Sequence, residues 1–404
     1  MALNFHKSWE NIFNKYHLLK EVNNNGYVDI TADQIKAVDG KEPRNLTKID
    51  FREKLPTIMK EENLSILAIK NGLYRIAKND PFINIEEEIS IRIIELSPPT
   101  GIISVDPYNI KSESAALDIS AISDMHNIVF GEESKLTIRG RLRGSLNFNI
   151  GLTPYNIEGV QIEVDGGYES NSSIHLIEAK IGYNNNINIR QLLYPHLFWE
   201  EEINRRKEIK SYVFYLHGDI FRFIPYYYNG AIGYADHSEE KAFRFRPLVD
   251  TAFSLYNIQI DQTKIDTTKP FPQADKFENI NTMLITISEN TCLNKEELKA
   301  YFAIVDRQID YYFNVLMWLK LCYEEDNCLH LTPIAEQIIN LPFRERMKEI
   351  AKIVFAEPIM NAVLNNRDPN LQIFSYYNVN SDSTIHRRLQ TVKAWVNYFK
   401  NLFD

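Results

Sequence analysis

Residues 91–247 limit the possible folds more than any other part of the chain. They contain short apolar or alternating runs separated by clusters of Gly, Pro and Asn, the pattern of short β-strands. The runs are residues 91–96, 136–138, 146–150, 160–164, 174–181, 212–216 and 220–225. Two helices are predicted between them, near residues 112–122 and 189–207. Strands interleaved with helices predict an α/β (α+β) domain with a mixed sheet and helices on its faces.

The flanking regions have different patterns. Residues 4–20 carry the apolar stripe of an amphipathic helix. A short helical piece is predicted after Thr31, and another helix near 50–61. Asn71-Gly72 lies between two apolar runs and predicts a β-hairpin. A polar stretch before Pro270 predicts a linker. The predicted segments are an N-terminal α/β block (1–95), a central domain (96–250), a linker (251–272) and a mainly helical C-terminal domain (273–404).

Composition excludes several classes of protein. The 404 residues include 45 basic and 54 acidic ones, a formal net charge of −9. With 44% hydrophobic residues, the chain has an average globular composition. No apolar run approaches the ~18 residues of a membrane helix, and no secretion signal is apparent. Three cysteines without a CxxC spacing predict ordinary thiols in a reducing cytoplasm. The acidic balance argues against a protein that coats nucleic acid, but allows one that grips DNA locally.

Two apolar strands carry charged residues near their ends. One ends in Asp165 before a glycine turn, and the next contains Glu178-Ala179-Lys180. On a strand, Glu178 and Lys180 point to one face and Ala179 to the other. If the strands form a hairpin, Asp165, Glu178 and Lys180 converge at one edge of the sheet. Unpaired buried charge is expensive, so charges in strands this apolar favour a functional site.

These residue types suit metal-dependent chemistry on a phosphate. Carboxylates bind Mg²⁺ beside substrate phosphates, and the metal polarises a phosphoryl oxygen and acidifies a bound water. A nearby ammonium can orient that water or stabilise developing charge. The pattern predicts hydrolysis of a phosphodiester. The alternative is that Glu178 and Lys180 form an exposed pair on a solvated face, which contributes little energy.

The order Asp165, then Glu178-Ala179-Lys180, resembles the PD-(D/E)xK nuclease superfamily, and residues 163–166 and 190–195 resemble its type II restriction endonucleases. The resemblance implies that Asp165 and Glu178 bind Mg²⁺ and that Lys180 positions the attacking water. It further implies sequence-specific cleavage of double-stranded DNA to 5′-phosphate ends, in a bacterial cytoplasm with a cognate DNA methyltransferase. Val164 stands where the superfamily often has Pro, at a position that varies within it.

The resemblance also implies two further catalytic residues. Members often add a Glu from the helix before the sheet, and Glu113 is in that place; the alternative is a glutamate favoured by the helix dipole. Gln191 resembles the Gln-xxx-Tyr element of some branches, although Tyr194 comes one residue early. Glu163 shares the strand face of Asp165 and is predicted to support the site.

A row of arginines precedes this region. Arg139, Arg141 and Arg143 occupy alternate positions, which on a strand directs all three side chains the same way. Because guanidinium groups pair with phosphates in bidentate fashion, the row predicts contacts to DNA phosphates. The alternative is an edge strand kept soluble by charge.

The C-terminal domain is predicted to contain three helices followed by a short hairpin. Asp275 with Glu278 forms a capping box, Asp306 caps the third helix, and Thr332 starts a helix after the hairpin. This order is the winged-helix arrangement, whose third helix reads bases in the major groove; the alternative is a protein-binding or dimer module. The residues predicted to read bases are Arg307, Gln308, Tyr311 and Asn314.

Arg387 and Arg388, in the predicted last helix (384–402), either contact phosphate or compensate nearby acids. A similar Thr-xx-Arg-Arg run is common in restriction enzymes of this architecture. A palindromic target would favour a symmetric homodimer. Three other functions stay open: a repair or structure-specific nuclease of the same superfamily, a non-cleaving winged-helix regulator, and a protein-binding scaffold without salt-sensitive DNA affinity.

Overall fold

A computed structural model of the chain describes residues 2–85, 91–182, 186–246, 253–290, 293–295, 298, 302 and 306–403, without the side chains of residues 2–4, 306 and 307. The chain divides into two units. Unit 1 comprises Met1–Val105 and Lys111–Phe245, and unit 2 comprises Asp106–Ile110 and Arg246–Asp404. None of the helices in the described part is long and apolar enough to cross a membrane.

Unit 1 is built on a large mixed sheet. Its strands are β1 (Tyr27–Thr31), β2 (Ser65–Lys70), β3 (Leu73–Ala77), β4 (Phe82–Asn84), β5 (Ile93–Leu96), β6 (Lys135–Ile150), β7 (Thr153–Glu169), β8 (Ser173–Ile181), β9 (Asn186–Asn188), β10 (Glu208–His217), β11 (Ile220–Asn229), β12 (Ile232–Ala235) and β13 (Lys241–Phe245). The sheet order is β1-β3-β2-β7-β8-β10-β11-β13-β5, with β6 beside β7 and β12 beside β11, while β4 and β9 form a separate pair. β8 pairs with β7 antiparallel and with β10 parallel, so the strand that carries Glu178 and Lys180 lies in the interior of the sheet.

The helices of unit 1 flank this sheet. They are α1 (Ala2–Tyr16), α2 (Leu18–Asn25), α3 (Ala32–Asp39), α4 (Pro43–Thr47), α5 (Thr57–Glu61), α6 (Glu113–Ile122), α7 (Met125–Phe130) and α8 (Leu193–Glu202), with 3-10 turns at Arg52–Lys54, Ile189–Gln191 and His237–Glu239. The predicted mixed sheet with flanking helices is therefore confirmed at this level. The predicted hairpin is also present, with Gly72 at φ +75° between β2 and β3.

Three sequence predictions for elements of unit 1 were inaccurate. The helix expected over 4–20 is interrupted by His17, whose φ of 51° separates α1 from α2. The helix expected near 50–61 is a 3-10 turn followed by the short α5. The helix expected over 189–207 begins as a 3-10 turn and ends at Glu202.

Unit 2 is mainly helical. It contains α9 (Phe277–Ser288), α10 (Asp306–Trp318), α11 (Pro333–Ile339), α12 (Phe343–Val354), α13 (Pro358–Leu364) and α14 (Asp382–Phe403), the hairpin strands β14 (Cys322–Glu325) and β15 (Cys328–Leu331), and 3-10 turns at Leu255–Asn257, Gln262–Lys264 and Leu371–Tyr377. Leu293 forms an antiparallel bridge with Leu329 of β15. One core holds unit 2 together around the buried Trp318, Trp395 and Phe277.

The segment predicted as a linker belongs to unit 2. Leu255, Ile265 and Phe271 are buried in its core, because the apolar residues between the polar ones face inward. Asp275 does not form the predicted capping box: α9 starts after Lys276 without a side-chain cap, and Asp275 accepts a hydrogen bond from the Thr391 hydroxyl instead.

Two smaller features of unit 2 bear on other expectations. Thr332 caps α11 as predicted, since its hydroxyl oxygen accepts a hydrogen bond from the Ala335 N–H. Cys322 is a free, buried thiol. Cys328 is disulfide-bonded, so the expectation of ordinary thiols is wrong for this residue.

Candidate active site

Strands β7 and β8 bring Asp165, Glu178 and Lys180 together. The ladder between the two strands runs from Glu169↔Ile174 to Gly166↔Ile177. Beyond it, the Asp165 carboxylate takes the place of a ladder partner, and its Oδ2 accepts a hydrogen bond from the Ala179 N–H at 2.9 Å. The side chain of Asp165 is thereby fixed to the strand that carries the other two charges.

Glu178 and Lys180 form a buried ion pair. Their side chains are only 7% and 9% exposed, and Lys180 Nζ lies 2.5 Å from Glu178 Oε1. Lys180 Nζ also donates to the Ala179 carbonyl oxygen at 2.8 Å. The alternative of an exposed pair on a solvated face is therefore wrong.

Glu113 and Gln191 approach this pair from two other elements. Glu113 is the first residue of α6, which the Ser112 hydroxyl caps, and its Oε1 lies 3.8 Å from Lys180 Nζ. Gln191 ends the 3-10 turn after β9, and its Nε2 donates to Glu178 Oε1 at 2.5 Å. Gln191 Oε1 is buried and has no hydrogen-bond partner in the described part of the chain. All five predicted catalytic residues thus lie in one cluster.

Burial and mutual charge shift the pKa values of this cluster. Burial raises the pKa of Glu178 to about 8; Lys180 opposes this shift and Asp165 adds to it. Burial likewise raises the pKa of Glu113, against the effect of Lys180. Burial lowers the pKa of Lys180. The neighbouring carboxylates of Glu178, Glu113 and Asp165 together raise it by a larger amount, so the pKa of Lys180 lies above its ordinary value. Lys180 is therefore charged at neutral pH, and Glu178 gains a proton much more readily than an ordinary glutamate.

The oxygen atoms of the cluster fit a hard divalent cation. Asp165 Oδ1 and Glu178 Oε2 make no hydrogen bond to any described residue, which leaves one oxygen of each carboxylate available. Among the described residues, no three His, Cys, Asp or Glu side chains are grouped as a metal site. Asp165 and Glu178 could each offer one carboxylate oxygen to a cation, and Mg²⁺ is often held by one or two carboxylates with water and substrate completing its ligands.

The N-terminal residues border the cluster. Asp50 is ion-paired with Arg190, and Asn188 Nδ2 donates to the Ile49 carbonyl oxygen at 3.0 Å. The charges of Lys48 and Asp50 also act on the pKa of Glu113. These contacts hold the turn that presents Gln191 to Glu178. Sequence reasoning missed them, because no local pattern links residue 50 to residue 190.

The three arginines of β6 have different surroundings. Arg139 Nε donates to the Asp165 carbonyl oxygen at 3.1 Å, and its Nη2 donates to Asp118 at 2.8 Å. Arg141 is ion-paired with Glu163 at 3.0 Å, and among the described residues Glu163 makes no hydrogen bond or ion pair with Asp165 or Glu178. Arg143 is exposed.

The predicted DNA-contacting residues of unit 2 differ in exposure. Gln308 and Arg387 are exposed, whereas Tyr311, Asn314 and Arg388 are half-buried. Arg388 lies close enough to Tyr311 for their charges to interact. The side chain of Arg307 lies outside the described residues. The hairpin tip carries three exposed acids, Glu324, Glu325 and Asp326.

Three domain families match successive parts of the chain, and each is described as a domain of unknown function. They are DUF6996 over residues 6–76, DUF6997 over 77–246 and DUF7226 over 279–404. No curated protein and no solved structure matches the chain. The second family contains Asp165, Glu178, Lys180, Glu113 and Gln191, and its first residue is the last of β3.

Proposed function

We propose that this protein is a Mg²⁺-dependent endonuclease of the PD-(D/E)xK type that hydrolyses phosphodiester bonds in double-stranded DNA. The observation that carries the proposal is the buried Glu178–Lys180 pair beside Asp165. Burying two charges costs free energy, and well-packed apolar side chains in their place would avoid that cost. Packing of the sheet alone does not require this arrangement, whereas metal-dependent phosphoryl chemistry can use carboxylates and an ammonium group placed in this way.

The roles of the residues follow from their contacts. Asp165 and Glu178 would hold Mg²⁺, which when bound polarises a phosphoryl oxygen and acidifies a coordinated water. The charged Lys180 ammonium is placed to orient the attacking water and to stabilise negative charge that develops on the phosphate. Gln191 restrains the Glu178 carboxylate, and its unpartnered Oε1 offers an acceptor for that water. Glu113, with its raised pKa, supplies a carboxylate that can exchange a proton near the site.

Unit 2 supports a DNA-binding enzyme that reads sequence. The order α9, α10 and the β14–β15 hairpin, with Leu293 bridged to β15, favours a winged-helix domain. Most of the second of the three predicted helices, between α9 and α10, lies outside the described residues. In this interpretation Arg307, Gln308, Tyr311 and Asn314 face the bases, and Arg387 and Arg388 face phosphates. The enzyme would then be a restriction endonuclease of a bacterial cytoplasm, leaving 5′-phosphate ends and working with a cognate methyltransferase.

Incubation of the full chain with unmethylated phage DNA, in Mg²⁺ or EDTA, tests this proposal. We expect discrete fragments in Mg²⁺ and intact DNA in EDTA. A smear, or cleavage confined to nicked, flapped or free-ended oligonucleotides, would favour the repair-type nuclease. Intact but retarded DNA under both conditions would favour the non-cleaving regulator and contradict the proposal.

A further inference from the structure

Arg139 differs from the other arginines of its strand in what it contacts. Arg141 pairs with an exposed glutamate on the neighbouring strand, and Arg143 has no hydrogen bond or ion pair with the rest of the described chain. Arg139 instead donates two hydrogen bonds, one to the Asp165 carbonyl oxygen and one to the Asp118 carboxylate.

A β-bulge in β7 brings Asp165 to Arg139. Ile138 pairs with Gly167 and Gly140 pairs with Val164, so two residues of β7, Asp165 and Gly166, lie opposite Arg139 alone. An extra residue of this kind bends the strand that carries it and re-aims its side chains. Arg139 keeps the exposed side of the alternation that it shares with Arg141 and Arg143, and the Asp165 carbonyl oxygen lies within its reach.

The contacts of Arg139 join the elements that carry the cluster. Asp118 lies on α6, the helix whose first residue is Glu113, and Glu113 lies 3.8 Å from Lys180. The Asp165 carbonyl that accepts from Arg139 belongs to the residue whose carboxylate accepts from the Ala179 N–H. A continuous set of hydrogen bonds thus runs from Asp118 through Arg139 and Asp165 to Ala179.

We infer that Arg139 is a positioning residue that fixes the backbone and hence the carboxylate direction of Asp165, and that phosphate contact is left to Arg141 and Arg143. The role of Asp165 as a metal ligand rests on the proposed function. Groups that orient metal ligands affect metal affinity by about 10–100-fold when they are removed. The ion pair with Asp118 is half-exposed and contributes little energy by itself, so the effect of Arg139 is one of geometry.

Two measurements on Arg139→Ala, with Arg143→Ala as the matched control, test this inference. The first is hydrogen exchange of the Ala179 amide in the metal-free protein. The Ala179 N–H donates to Asp165, so we expect exchange at least about tenfold faster in Arg139→Ala and unchanged in Arg143→Ala. The second is Mn²⁺ binding by calorimetry, where we expect a loss of about tenfold in affinity for Arg139→Ala only.

Asp118→Asn and Arg139→Lys provide a second test if Arg139→Ala does not fold. Asp118→Asn keeps Arg139 but weakens its anchor, and lysine lacks the planar fork needed for both bonds, so both variants should change in the same direction by a smaller factor. Wild-type exchange and Mn²⁺ affinity in Arg139→Ala would overturn the inference. Mn²⁺ binding that is also unchanged in Glu178→Gln would instead show that the proposed metal site is wrong, while amide exchange would still decide the role of Arg139.

Discussion

At the scale of single residues, the main feature is the buried Glu178–Lys180 pair, which Glu113 and Gln191 approach. Lys180 donates to Glu178 and to the Ala179 carbonyl oxygen, and Gln191 donates to the same glutamate oxygen. These bonds offset part of the cost of burying both charges. Removing one partner of such a buried pair leaves the other uncompensated, at a cost of about 3–5 kcal/mol. The cluster is therefore sensitive to any change in charge, including the arrival of a cation.

The first prediction concerns the pH dependence of metal binding. Because burial raises the pKa of Glu178, part of the metal-free protein carries a proton on Glu178 near neutral pH, and the rest holds the ion pair with Lys180. A cation must displace this proton, so affinity for Mn²⁺ should rise from pH 6 to 8 and level off above. Calorimetry at pH 7 in buffers of different ionisation enthalpy should detect net release of protons when the ion binds.

Glu113→Gln provides the control for this titration, since Glu113 is a second carboxylate of raised pKa in the same cluster. The proton count should be largely retained in this variant. An affinity independent of pH between 6 and 8 in the wild type would contradict the assignment of Glu178.

At this scale the sequence predicts groups that are close along the chain. Asp165, Glu178 and Lys180 could be recognised because two adjacent strands place them within 15 positions. Arg139 with Asp118, and Asp50 with Arg190, could not, since their pairing depends on how distant elements pack. The β7 bulge at Asp165 and Gly166, which brings the Asp165 carbonyl oxygen to Arg139, leaves no signal in the alternation of residue types.

The long β6–β7 hairpin is the main feature at the scale of elements. Its sequence predicts separate short runs at 136–138 and 146–150, because the arginines and glycines between them interrupt the apolar pattern. The structure has one continuous strand, Lys135–Ile150, along β7. Backbone pairing tolerates this polar stretch, since side chains on an exposed face need not be apolar. The positions and types of the sheet strands were therefore largely predictable, but not their lengths.

The second prediction concerns Gly144, where α8 packs on β6. A Cβ at this position would lie 2.5 Å from the Phe198 ring and 2.9 Å from Ile162. Gly144→Ala should therefore destabilise unit 1 by about 1–3 kcal/mol through overpacking. Urea unfolding measures the effect, and Ser145→Ala, at an exposed neighbouring position, should stay within about 0.5 kcal/mol of the wild type. Equal stability of the two variants would show that Phe198 does not pack against this strand.

At the scale of the whole molecule, the distribution of charge matters more than its sum. The net charge of −9 gives no general attraction to DNA, and the hairpin tip of unit 2 carries Glu324, Glu325 and Asp326. Like charges on this tip oppose an approach to phosphates. We therefore expect phosphate affinity to come from local groups such as Arg141 and Arg143, and the hairpin tip to contribute none.

The third prediction separates these two surfaces by the salt dependence of DNA binding, measured in EDTA to prevent cleavage. Arg143→Ala should weaken binding and reduce the slope of log K against log salt concentration by about one. The double variant Glu324→Gln/Glu325→Gln should leave affinity and slope unchanged. A clear gain of affinity in the double variant would place the hairpin tip at the DNA backbone and contradict this expectation.

The most direct test of the account compares Mg²⁺-dependent DNA cleavage by the wild type and by Glu178→Gln. Glutamine keeps the size of the side chain and its contact with Gln191, but removes the charge that would hold the ion. We expect site-specific cleavage by the wild type and a rate at least about 100-fold lower in the variant. Because the variant leaves Lys180 without its charged partner, the control is that its thermal unfolding begins well above the assay temperature. Cleavage at the same rate by both proteins would show that the Asp165–Glu178–Lys180 cluster is not the catalytic centre.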